Sequence, residues 1–87
     1  MQESAEARLK RLRMRAWRRG MKEMDLILGR FADTHLDQMD DAALTRFDAL
    51  LGEYDQDLYR WVTGNAEPPE DIRPDIETLR AFVGSVF

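Results

Sequence analysis

The sequence has no cysteine, three prolines, five glycines and a single histidine in 87 residues. Without cysteine there is no disulfide, no thiolate nucleophile and no cysteine-ligated zinc. A reducing compartment suits such a chain, although the absence of cysteine does not require one. His35 has no second histidine three or four positions away, so it reads as an exposed loop residue and not as a metal ligand. The carboxylate-rich run 33–41 lacks the glycine and the ligand spacing of a calcium loop. No glycine-rich phosphate loop, nucleophile elbow or other catalytic signature is visible, and the expectation is a protein that is not an enzyme. Apolar runs are no longer than three residues, as at Leu26-Ile27-Leu28. That is far short of the roughly 20 needed to span a bilayer, so no membrane insertion is expected. The charged N-terminal stretch has no secretory apolar region, and a bacterial cytoplasmic location is the expectation.

What the sequence does have is an uneven charge distribution. Residues 1–22 carry eight basic and two acidic groups, whereas 23–87 carry five and fifteen; the halves, +6 and −10, give the net −4. Such a dipolar chain suggests an electrostatic docking face rather than a general coat for nucleic acid.

The apolar spacing is helical throughout, and no segment alternates in the manner of a strand. A basic first helix is predicted over 4–19, capped by Ser4, with Ala5, Leu9, Leu12 and Ala16 as its apolar stripe and Gly20 past its end. A second spans about 21–33, with Met21, Met24, Ile27, Leu28 and Phe31 on one face. After a polar connection at 34–39, Asp40 caps a third helix repeating Leu44, Phe47, Leu50, Leu51 and Tyr54. Asp55 is expected to cap a short fourth helix closed by Gly64. A loop follows around Pro68-Pro69, and a last helix begins near Asp71 or Pro74. It presents Ile76, Leu79, Phe82 and Val83, and its tail, 84–87, is expected to fray. The reading is all-α: one domain over 1–87, a compact antiparallel bundle of five short helices.

Three constellations bear on function. At about 100° per residue, Arg8, Arg11, Arg15, Arg18 and Arg19 share one arc of the first helix, and Met14 and Trp17 lie beside basic residues. This is either a solvated face or a partner surface, arginine and tryptophan being favoured interface anchors. The corner 19–23, Arg19-Gly20-Met21-Lys22-Glu23, serves local structure: Gly20 permits a left-handed turn, and Glu23 suits the positive end of the next helix. The crowding of Arg18, Arg19 and Lys22 around it also reads as a rigid knuckle shown to a partner. In Asp55-Gln56-Asp57-Leu58-Tyr59-Arg60-Trp61 the acidic pair fits a helix start. Leu58, Trp61 and Val62 fit the core, and Tyr59 and Arg60 point elsewhere.

These blocks carry a resemblance. Arg18-Arg19-Gly20-Met21-Lys22-Glu23-Met24-Asp25 is similar to the R-G-x-x-E signature of the succinate dehydrogenase assembly factor family, the SdhE-type flavinylation factors. The later Leu50-Leu51 and Asp55-x-Asp57-Leu58-Tyr59-x-Trp61-x-x-Gly64 resemble that family's second block, at matching distance. The resemblance covers about residues 8–83 and departs mainly where Pro74 interrupts the last helix. It implies a five-helix bundle that binds the flavoprotein subunit of succinate dehydrogenase and, in some bacteria, that of fumarate reductase. It also implies that the factor promotes covalent attachment of FAD to a client histidine while binding no cofactor stably itself. The family's functional residues fall on Arg19, Gly20 and Glu23, with Arg18 and Asp25 as neighbours. Arg11, Arg15 and Trp17 complete the expected partner surface, and the free protein is expected to be a monomer. The alternative is a small nucleic-acid-binding protein using the basic first helix; the acidic remainder argues against it, because phosphate binding rewards broad positive potential.

Overall fold

The computed structural model describes residues 3–87. These form five α-helices: α1 (Ala5–Trp17), α2 (Lys22–His35), α3 (Asp41–Leu50), α4 (Asp55–Val62) and α5 (Arg73–Val86). A 3-10 turn at Leu36–Gln38 follows α2. Two starts carry the side-chain caps their sequences promise. Ser4 Oγ accepts from the Ala7 amide at 3.1 Å, and Asp40 Oδ1 accepts from the Ala43 amide at 2.8 Å. Each satisfies a backbone donor that the helix itself leaves unpaired.

α2 is the centre of the bundle. α1 lies along it, α4 and α5 pack against it, and α3 rests on α5. Leu12 and Ala16 of α1 meet Met24, Leu28, Phe31 and Ala32 of α2, and Leu50, Leu58, Val62, Ile76, Leu79 and Phe82 close the core. Leu12, Met24, Leu28, Leu58 and Ile76 are fully buried, and each such side chain contributes about 1.5–3 kcal/mol of hydrophobic stabilisation.

The structure departs from the sequence reading at several places. α1 ends at Trp17, two residues early, with Arg18 as its C-cap. α2 continues to His35, so His35 is no loop residue: its ring stacks on Phe31 at 4.3 Å and meets Phe82 edge-on at 5.5 Å. Its Nδ1 lies 3.2 Å from the Phe31 carbonyl. Leu36, in the stretch read as a polar connection, is buried. Tyr54 does not extend the apolar face of α3. That helix stops at Leu50, the turn through Glu53 breaks the register, and Tyr54 is 78% exposed. Tyr54, not Asp55, is the N-cap of α4, which releases the Asp55 carboxylate for another partner. Pro74 sits in the first turn of α5, where a missing amide hydrogen costs nothing. The tail does not fray at 84: α5 stays helical to Val86, and the Arg30 guanidinium lies 5.0 Å from the Phe87 ring centre.

Candidate functional site

Four residues, Arg18–Met21, join α1 to α2. So short a link needs one residue with positive φ, and Gly20 supplies it at +95°. Only glycine adopts that conformation without a Cβ penalty. Apart from Gly20 and its two chain neighbours, no atom lies within 4 Å of where a Cβ on Gly20 would stand, so the space outside this turn is open.

Arg19 holds the turn from beneath. Its Nε donates to Asp55 Oδ1 at 2.7 Å, its Nη1 to the Leu51 carbonyl at 2.6 Å and its Nη2 to the Glu53 carbonyl at 2.6 Å. The Arg19 and Asp55 side chains are only 10% and 16% exposed. One guanidinium thereby ties the α1–α2 corner to the α3–α4 turn, satisfying the carbonyl of the α3 C-cap, Leu51, and that of Glu53 in the turn. The backbone amide of Arg19 donates to Asp25 Oδ1 at 2.5 Å. Asp25 sits in the first turn of α2, where a carboxylate is also favoured by the helix dipole. The Arg19 and Asp25 side chains therefore turn inward and fix the corner.

What the corner presents outward is Arg18, Gly20, Lys22 and Glu23, all exposed. Among the described residues Arg18, Lys22 and Glu23 make no ion pair or side-chain hydrogen bond. Beside them an open recess is lined by Arg19, Gly20, Met21, Tyr54, Asp55 and Gln56.

The arginine row of α1 divides in the same way. Arg8 pairs with Asp41 at 2.6 Å, and Arg11 bridges Glu3 at 2.8 Å and Asp48 at 3.0 Å. Arg15 also pairs with Asp48. The two guanidiniums, Arg11 first, hold the Asp48 carboxyl below its ordinary range against partial burial, and Arg11 does the same for Glu3. On the opposite flank Arg13 reaches Asp33 at 3.1 Å and Asp37 at 3.6 Å. Much of the positive N-terminal charge is thus met within the chain by carboxylates of α2, of the 3-10 turn, of α3 and of α4.

Trp17 is half-buried and lies on Gly29 of α2, a position where a methyl group would clash with the carbons of the indole ring. Its Nε1 donates to Asp33 at 3.2 Å. It therefore joins the two helices, while Met14 remains 41% exposed. Sequence reasoning passed over Gly29 and placed Tyr54 in the core. The one signal for Gly29 was a glycine in a strong helical pattern, which calls for a packing reason.

Of the predicted partner residues, the structure gathers Arg18, Arg19, Gly20, Glu23 and Asp25 at the corner. Arg11 and Arg15 lie further along α1 towards α3, and Trp17 faces α2. No group of three or more metal-ligating side chains occurs among the described residues. No helix of the described chain is long and apolar enough to cross a membrane.

Comparison with known proteins assigns a family to this arrangement. A family model described as the flavinator of succinate dehydrogenase matches residues 10–83, taking in both the corner and the Asp55–Gly64 block. A mitochondrial succinate dehydrogenase assembly factor 2 of Meyerozyma guilliermondii is 41% identical over 80 residues, 90% of this chain and 59% of that protein. Its counterpart in Schizosaccharomyces pombe is 38% identical over 68 residues, 78% of this chain and 49% of that protein. The chain thus spans about half the length of these fungal relatives. The FAD assembly factor SdhE of Legionella pneumophila (strain Lens) is 36% identical over 63 residues, 72% of this chain and 80% of that protein. The chain belongs to the family of flavinators of succinate dehydrogenase.

Proposed function

We propose that this protein binds the flavoprotein subunit of succinate dehydrogenase and promotes covalent attachment of FAD to a histidine of that subunit. Family membership supports the client. The observation that carries the mode of action is the corner: Gly20 and Glu23 displayed on a turn that Arg19 and Asp25 lock from inside. The chemistry would lie in the client, whose FAD would supply an 8α methyl carbon that becomes electrophilic on losing a proton; bonding of a client histidine nitrogen there would pass the electron pair into the flavin ring and leave it reduced. The factor's part is that of a non-catalytic chaperone, holding histidine and flavin in near-attack geometry or favouring the FAD-loaded conformer. It retains no FAD itself. Gly20, Glu23 and Arg18 make the contact, while Arg19, Asp25, Arg11, Arg15 and Trp17 hold the contact surface in shape. A free monomer acting in a bacterial cytoplasm, with the fumarate reductase flavoprotein as a second client, completes the proposal.

The test is co-expression of the flavoprotein subunit with and without this chain, followed by denaturing electrophoresis and flavin fluorescence of the subunit band. Strong fluorescence only with the factor is expected. Equal fluorescence in both lanes would overturn the proposal. The nucleic-acid reading gains no support, because four of the five arginines in its arc, Arg8, Arg11, Arg15 and Arg19, are paired within the chain.

A further inference from the structure

We infer that Tyr54 extends the docking surface beyond the R-G-x-x-E corner, and that its ring receives an apolar side chain of a client loop laid over Gly20. The inference rests on the functional reading above and names a contact that the motif does not contain.

Tyr54 stands at the N-cap of α4 with φ −73° and ψ 142°, and its carbonyl accepts the first bond of the helix from the Leu58 amide at 3.0 Å. Its side chain makes no capping bond, although serine, threonine, aspartate or asparagine would do so there. Met21 and Ile72, at the starts of α2 and α5, likewise lack a cap, but both are half-buried, and Met21 packs against the core. Tyr54 contributes neither: it is 78% exposed, the most exposed large hydrophobic side chain among the described residues. A residue that gives up a cap and gains no burial has no evident role in the fold. Exposed tyrosine is, however, a favoured anchor at protein interfaces.

Its neighbours define the occupant. Tyr54 shares its open recess with Gly20 and Met21 of the corner and with Gln56. Gly20 offers bare backbone with open space above it, so a partner's main chain can approach closely. Every guanidinium nitrogen of Arg19, on the floor of the recess, already donates within the chain. The recess therefore offers no free cation of its own to a phosphate or carboxylate, since Arg18 and Lys22 stand on the corner and not among its lining residues. The remaining chemistry is an aromatic face, a phenol hydroxyl, a thioether, a primary amide, an Asp55 carboxylate already paired with Arg19, and exposed glycine backbone. It suits a looped polypeptide segment with one apolar side chain. Because the recess is continuous with the corner, a client docked on Glu23 and Gly20 meets Tyr54 in the same footprint.

The test measures binding of the flavoprotein subunit, purified from cells lacking this factor, to wild type, Tyr54→Ser, Tyr54→Phe and Glu23→Ala by biolayer interferometry. Each variant's Tm is measured alongside. Tyr54→Ser is expected to weaken binding at least fivefold while its Tm is unchanged or raised, since serine can cap α4. Tyr54→Phe, which keeps the ring, is expected to stay within fivefold of wild type. A loss smaller than fivefold for Tyr54→Ser, or of fivefold or more for Tyr54→Phe, overturns the inference. If Glu23→Ala weakens binding and Tyr54→Ser does not, the inference fails while the functional reading stands. If wild type itself does not bind, the functional reading fails and the inference falls with it.

Discussion

Replacing Arg19 by alanine removes three donated bonds at once, to Asp55 and to the Leu51 and Glu53 carbonyls. Hydrogen bonds from a charged group contribute about 1.5–3 kcal/mol each, but the three are not additive. The carboxylate left behind is 16% exposed and regains some water. Breaking a fully buried pair costs about 3–5 kcal/mol, so we expect the lower end, about 3 kcal/mol. At about 4–8 °C per kcal/mol for a domain of this size, the Tm falls by about 12–24 °C. Arg19→Lys keeps the charge but not the three-way fork, and it should lose about 2 kcal/mol. The assay is urea unfolding followed by circular dichroism, in a double-mutant cycle with Asp55→Ala whose coupling energy should exceed about 1 kcal/mol. A loss below about 1 kcal/mol for Arg19→Ala would refute the clamp. Arg19 would then have to act in the motif through the partner and not through the fold.

The remaining expectations concern glycines and pH. Gly20→Arg places an L-residue at φ +95° and should cost about 1–2 kcal/mol, yet leave a folded helical spectrum because nothing obstructs the side chain. It should abolish client binding in a pull-down. Gly29→Ala should destabilise by about 1–3 kcal/mol, since the clash with the Trp17 ring outweighs the gain in helix propensity. Gly84→Ala, with open space around it, should instead stabilise by about 0.5–1 kcal/mol; thermal melts compare the pair. The Asp48 carboxyl is held low by Arg11 and Arg15. Its contribution is therefore fully present above the ordinary carboxylate value of about 4 and is lost as pH falls below that value through the depressed one. Unfolding titrations between pH 6 and 2 should show a shallower acid loss in Asp48→Asn than in wild type.

The helices were legible in the sequence because their apolar residues repeat at three and four, and because Ser4 and Asp40 are capping residues whose side chains do cap. The turn at Gly20 was legible for a similar local reason: glycine, between two amphipathic runs, marks the positive φ. The site was less legible because its contacts join distant positions. Arg19 meets Asp55 across 36 residues, and Arg11 meets Asp48 across 37. A row of arginines therefore read as a free docking face when carboxylates of other elements cover much of it. Trp17 read as a surface anchor because its place depends on Gly29, in another helix, having no side chain. Tyr54 continued an apolar repeat whose helix had already ended, so periodicity assigned it to the wrong side of the surface.

In the proposed function the corner acts on the client through Glu23, while Arg19 and Asp25 hold the turn in shape. The most direct test is covalent flavin in the flavoprotein subunit co-expressed with wild type, with Glu23→Ala and with no factor, the Glu23→Ala protein first shown to melt as wild type does. We predict that flavin in the Glu23→Ala sample falls to near the level reached without the factor. Flavin equal to wild type in that sample would show that Glu23 is not the residue through which the corner acts.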